Sequence, residues 1–251
     1  NSILNLMKKA FTFLAAGLLM SLVSCDKIDD IVPAGLSEEE VVAGLKEALR
    51  VGTDTSVSQL NIEDGFYGDD AVKIFLPPEA DVIVDNISLV PGGEALLEAT
   101  IKKINRAAED AAVEAKPIFV DAITGMTVQD AFGILNGADT SATTYLKDKT
   151  YSDLYSLFQP DINASLSKNI ILGQSAESAY AALINTYNDA VDLANIIPGN
   201  DYPSVTGNSL SAHTTNFALK GLFKKVADEE KAIRADPLAR VNDILKKVFG
   251  N

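Results

Sequence analysis

An all-α fold is predicted by three observations. Apolar residues recur at helical spacing along most of the chain after residue 36, several of those runs open on capping residues, and no run alternates with period two over several segments. The expected architecture is a single compact multi-helix bundle of about eight helices, with no internal repeat and no boundary that would split it.

Ser37 with Glu40 three residues on forms a capping box, and Val41, Leu45, Ala48, Leu49 and Gly52 follow at helical spacing, so Ser37 to Leu60 reads as one amphipathic helix. Asn61 to Pro78 breaks the pattern with Gly65, Gly68 and Pro77-Pro78; within it, Ala71 to Leu76 reads as a short extended piece docked on the helices. Glu79 to Val90 is a weaker helix stopped by Pro91-Gly92-Gly93. From Glu94 the pattern is strong. Leu96, Leu97, Ile101, Ile104, Ala108 and Ala111 share a face, and Glu98 and Lys102 form an i,i+4 pair on another. Pro117 suits the first turn of a new helix. Thr127 with Asp130 caps a short helix that Asn136-Gly137 ends. Helices are expected at Thr140 to Lys147, Tyr151 to Lys168 and Ser175 to Ala194, with Pro160 starting a turn, a kink or a separate helix. Ile197 to Asn208 is the longest polar loop. Leu210 to Ala235 is helical, and Asp236-Pro237 opens a last helix, Leu238 to Phe249, ended by Gly250.

The first residues obey a different logic. Met7, Lys8 and Lys9 give a positive start, Ala10 to Val23 is apolar and uncharged, and Leu22-Val23-Ser24-Cys25 brings the only cysteine directly after it. A bilayer-spanning helix needs about 20 apolar residues, and this run is shorter. The pattern resembles a bacterial lipoprotein signal, in which the thiol of Cys25 is acylated and becomes the first mature residue. Residues 1–24 are then the signal, with Met7 the expected start; 25–36 are a lipidated tether, and 37–251 form the helical domain. Each buried methylene of an acyl chain contributes about 0.8 kcal/mol, so several chains hold firmly. The address is the cell envelope: the outer membrane, periplasmic side or surface, with the inner membrane also open, because Asp26 and the Lys27 to Asp30 run resemble competing sorting cues.

Composition removes much chemistry. The chain carries 21 basic and 35 acidic residues, a net charge of −14; residues 1–24 hold two lysines and no acid, so the mature chain stands at −16. A field of that sign opposes nucleic acid, which is not an expected partner. A single cysteine allows no internal disulfide and no thiolate metal cluster, and one histidine excludes His-pair metal motifs, so neither a cofactor nor a metal is expected. No Gly-x-Ser-x-Gly elbow or Walker-type loop occurs.

Ordered blocks also carry a resemblance. They include Gly44-Leu45-Lys46-Glu47-Ala48-Leu49, Asp64-Gly65-Phe66, Val72-Lys73-Ile74, Asn105-Arg106-Ala107-Ala108-Glu109 and Ala115-Lys116-Pro117-Ile118-Phe119-Val120-Asp121-Ala122-Ile123. Met126-Thr127, Asp130-Ala131, Ala142-Thr143-Thr144-Tyr145, Gly221-Leu222-Phe223, Ile233-Arg234 and Leu245-Lys246-Lys247-Val248-Phe249-Gly250 continue them. Together they strongly resemble the DUF4197 family of bacterial, mostly lipoprotein-like proteins of unknown function, over nearly all of Ser37 to Gly250. The resemblance implies a fold and an envelope location and no catalytic residue. Departures are Ile104, where members often carry Met, and the stretch from Asn188 to Phe217, where Ser211-Ala212-His213 replaces an acidic, tyrosine-bearing segment.

The candidate binding or structural charge cluster is Lys73, Arg106, Glu109, Asp121, Asp130, Glu230, Arg234 and Arg240. Arg106 and Glu109 are one turn apart; Glu230 and Arg234 stand in the favourable i,i+4 order, with Arg240 across the Asp236-Pro237 corner. Helix-fixing ion pairs account for these spacings better than a ligand site does. Asp64, Asp69 and Asp70 lack the register of a calcium loop and read as surface solvation. His213 stands alone among small polar residues. The expected function is a non-enzymatic envelope lipoprotein, a helical binding or scaffolding module for a protein or small apolar ligand. The alternative is a hydrolase or lyase whose Asp, Glu and Arg residues converge between helices.

Overall fold

A computed structural model describes residues 37–168, 175–207 and 209–235. The lipidation site Cys25, Arg240 and the helix expected at Leu238 to Phe249 lie outside the described residues. Eight α-helices occur in chain order among the described residues, with no strand: α1 Glu38–Leu60, α2 Asp81–Asp85, α3 Gly93–Ala112, α4 Ala115–Thr124, α5 Val128–Leu135, α6 Ser141–Ser167, α7 Ala176–Ala194 and α8 Leu210–Ala235. The all-α bundle is as the sequence predicts.

Local chemistry sets most boundaries. Ser37 accepts the Glu40 N–H while the Glu40 carboxylate accepts the Ser37 N–H, a complete capping box; Thr127 with Asp130 and Ser175 with Ser178 repeat it at α5 and α7. Gly92, at φ 70, supplies the left-handed residue that turns the chain into α3. The region 79–90 is not one helix. It forms a 3-10 turn Pro78–Ala80, the short α2 and a second 3-10 turn Ile87–Leu89. The β-branched run Val82, Ile83, Val84 favours a helix little, and the Asn86 amide hydrogen-bonds back to the Val82 carbonyl where α2 ends.

The largest difference is α6. The two helices expected between Thr140 and Lys168 are one 27-residue helix that runs through Pro160. Leu146, Thr150, Leu154, Phe158, Ile162 and Leu166 are all buried. A spacing of four advances each side chain by about 40° beyond a full turn, so the stripe winds round the helix. Accordingly α6 packs against α3, α4, α5, α7 and α8, and is the central element. Pro160 lies on its exposed side, where the unpaired Ser156 carbonyl can meet water.

The core is one large cluster contributed by every helix from α1 to α8. Phe223 of α8 meets Phe119 of α4 edge-on at 6.0 Å and stacks on the partly buried Tyr151 of α6 at 6.3 Å. Residues 61–77 close the bundle without regular structure. Phe66, Val72, Ile74 and Leu76 are buried, and the last three alternate with the outward Lys73 and Phe75. This is the docked extended piece predicted for Ala71 to Leu76. No single described helix is long and apolar enough to cross a membrane.

Candidate functional site

Apart from Lys73, the sequence-predicted charges among the described residues fall into three sets with no hydrogen bond or ion pair between them. The first lies between α3 and the 61–77 segment. Glu109, 4 % exposed, accepts the N–H groups of Phe66 and Tyr67 at 3.1 Å each and is paired with Arg106. Arg106 also reaches Glu63 at 3.0 Å and Asp64 at 2.7 Å. Burial pushes the Glu109 carboxyl up, and the hydrogen bonds from Arg106 and Phe66 work against that push. One turn away, the fully buried Asn105 accepts the Ile74 N–H at 2.9 Å and donates to the Ile74 carbonyl at 2.8 Å. Its amide thus stands in for a neighbouring strand. Asn105 escaped sequence reasoning, since an isolated Asn in a helix carries no pattern.

The second set joins α8 to the start of α6. Thr140, the N-cap residue of α6, makes no side-chain cap bond. Instead the buried Glu230 carboxylate accepts the Ala142 N–H at 3.0 Å, the Thr143 N–H at 2.9 Å and the Thr143 hydroxyl at 2.8 Å. Arg234 donates to Glu230 from Nε at 3.1 Å and from Nη2 at 3.0 Å, and reaches the Ile134 carbonyl at 2.9 Å. Negative charge belongs at a helix N-terminus, so α8 caps α6 from outside its own chain segment. A crevice beside this pair, lined by Leu45, Leu49, Val226 and Ile233 among others, measures about 30 Å³, enough for no more than a water.

The third set lies at the α4–α5 bend, where the two helices meet at 105°. Asp121, Asp130, Lys149 and Asp153 line an open cleft of about 390 Å³. Asp130 is committed to the α5 cap: its carboxylate accepts the Thr127 N–H at 3.0 Å and the Thr127 hydroxyl at 2.7 Å, which hold it below its ordinary value.

Lys73 belongs to none of these. Its Nζ sits 4.0 Å from the Tyr67 ring centroid, and it lines a separate cleft of about 290 Å³ with Ala71, Val72, Phe217, Lys220, Gly221 and Lys224. Sequence reasoning missed the α8 half of this cleft, although Phe217, Lys220, Gly221 and Lys224 follow an i, i+3, i+4, i+7 rhythm that marks one helix face.

Other expectations need correction. Two of the three loop acids are not left to solvent: Asp64 pairs with Arg106, and Asp69 with Lys225 at 2.5 Å, a bond that holds the Asp69 carboxyl below its usual value. The i,i+4 pair of Glu98 and Lys102 does not form; Lys102 lies 5.8 Å from the Tyr67 ring. His213 is not isolated, because its Nε2 is 2.9 Å from the Phe75 carbonyl and its ring lies 4.5 Å from that of Phe217.

No curated protein and no solved structure matches the chain. A family model described as a protein of unknown function (DUF4197) matches residues 35–250, which is nearly the whole chain. The chain belongs to the DUF4197 family.

Proposed function

We propose that the protein is a lipid-anchored lipoprotein of the bacterial envelope, whose helical body is a non-enzymatic binding or scaffolding module for a protein or small apolar ligand. One observation carries the module reading. The buried charges that a catalytic site would need are each spent on backbone N–H groups or on a cap, and Arg106, Glu109, Asp121, Asp130 and Arg234 do not meet in one concavity. A reaction centre needs a nucleophile or general base and a stabilising group aimed at one position. The anchor is supported by the Lys8-Lys9 start, the apolar run and Leu22-Val23-Ser24-Cys25.

Two measurements test the two halves separately. Cys25→Ser should move the protein from the membrane pellet to the soluble fraction; continued pelleting contradicts the lipid anchor. Ester, phosphate and amide reporter substrates should give no turnover above heat-denatured protein. Turnover abolished by Arg106→Gln or Asp130→Asn would replace the binding module by an enzyme.

A further inference from the structure

The cleft between the 71–73 segment and α8 combines features that neither the crevice beside Glu230 nor the cleft at the α4–α5 bend combines. Its cations are Lys73, Lys220 and Lys224, in a chain whose net charge is −14. Lys224 is engaged with Asp228 at 2.7 and 2.5 Å, and the neighbouring Lys225 is engaged with Asp69. Lys73 and Lys220 have no carboxylate within ion-pair distance among the described residues; each lies over an aromatic ring instead, Lys73 over Tyr67 and Lys220 5.3 Å from the Phe217 centroid. Asp70, adjacent to Ala71, is exposed and is not among the lining residues.

Between the cations the lining is apolar: Ala71, Val72, Phe217 and the bare Cα of Gly221. Gly221 is required there, since a Cβ would stand 2.7 Å from the buried Phe66 ring and 3.3 Å from Val72. Two aromatic rings stay in water here, Phe217 of the lining at 37 % exposure and Phe75, whose ring lies 5.7 Å from the Lys73 Nζ, at 56 %. His213 ties them together, bonded to the Phe75 carbonyl and set against the Phe217 ring, so the rim is preformed. A volume of about 290 Å³ is at the lower bound for small-molecule sites.

We propose that this cleft binds a small amphipathic anion, its carboxylate or phosphate head between Lys73 and Lys220 and its apolar body against Val72 and Phe217. The assignment rests on the binding-module reading and specifies the ligand class. Uncompensated lysines supply the attraction for the head, and exposed rings gain by covering.

Titration calorimetry of the full Cys25→Ser chain with monomeric dodecyl phosphate tests it, with dodecyl maltoside as the uncharged control. Saturable binding of the phosphate, weakened about tenfold or more in Lys73→Glu/Lys220→Glu and weakened by added salt, is the expected result. Ala71→Trp, which places a bulky ring on the cleft lining and keeps both lysines, should also weaken it about tenfold or more; unchanged circular dichroism shows that each variant is folded. Equal binding of dodecyl maltoside, or binding indifferent to both variants, overturns the proposal. So does binding to phosphatidylglycerol vesicles without binding of the monomer, which would make the patch a membrane-facing surface. A null titration sinks this site alone, because the fractionation and turnover assays address the module reading independently.

Discussion

Removing Glu230 should cost more stability than removing any exposed charge, and the structure fixes the scale. The side chain is 6 % exposed and accepts five hydrogen bonds: two from the first turn of α6, one from the Thr143 hydroxyl and two from Arg234. Glu230→Ala leaves the Ala142 and Thr143 N–H groups with no acceptor where both residues are buried. An orphaned buried donor costs about 1–3 kcal/mol, and breaking a buried ion pair by deleting one partner costs about 3–5 kcal/mol. The two figures count overlapping bonds, so the net loss should be about 3–5 kcal/mol, against a typical total of about 5–15 kcal/mol. The melting temperature should fall by about 6–20 °C. Glu230→Gln, which keeps an acceptor oxygen, should lose about 1–2 kcal/mol. Arg50→Ala, at the exposed Glu47–Arg50 pair, should leave the midpoint unmoved. Urea unfolding followed by far-ultraviolet circular dichroism reads all three. A Glu230→Ala loss below about 1 kcal/mol would show that the α6 amides find other acceptors, and the capping argument would be wrong.

Asn105→Ala should cost about 2–4 kcal/mol, because the Ile74 N–H and carbonyl both lose their partner, and hydrogen exchange at the Ile74 amide should accelerate while core amides of α6 stay protected. Burial lowers the His213 pKa below 6.5, with the Phe75 carbonyl and Glu79 pulling the other way. The unfolded chain therefore binds the proton first; the stability from neutral His213 is fully present above pH 6.5 and is lost as pH falls through the folded value. As the only histidine, its ring resonances give that midpoint directly by NMR, and a midpoint at or above 6.5 contradicts the burial argument. Pro160→Ala should stabilise by about 1–3 kcal/mol, since it restores the N–H for the Ser156 carbonyl in the middle of α6; a lower urea midpoint would mean that the ring itself packs.

Helices whose apolar face keeps to one side were legible in the sequence. α1, α7 and α8 lie within a residue of their expected limits and α3 starts within a residue of Glu94, because apolar periodicity marks all four and capping boxes also mark the starts of α1 and α7. α6 reads as two helices in the sequence because its buried stripe winds round the axis and its solvent side carries a proline. One-sided amphipathicity is a signal of peripheral helices, and a central helix does not carry it. The pairings of Arg106 with Glu109 and of Glu230 with Arg234 were legible for a similar reason, each being a contact within one helix. Their long-range partners were not. Phe66 lies 43 residues from Glu109 and Ala142 lies 88 from Glu230, and no local spacing announces such a contact.

The two buried carboxylates among the described residues answer the same deficiency, namely backbone N–H groups with no secondary-structure partner. α6 opens without a side-chain cap, and residues 61–77 turn inward without a ladder, so Glu230 and Glu109 supply acceptors at those two places. Asn105 does the same for Ile74 with a neutral amide. Charge is used where two donors converge and where a nearby arginine offsets the cost of burial; a single N–H and carbonyl pair needs only an amide. Counting backbone donors first therefore assigns the residues that spacing alone would nominate as chemistry. What that accounting leaves over includes the half-buried Lys73 and the exposed Lys220, which have no carboxylate within ion-pair distance among the described residues and stand beside rings that water touches. A function carried by such groups depends on surface complementarity, so it should be screened by salt and should tolerate the loss of any single buried acid that still allows folding.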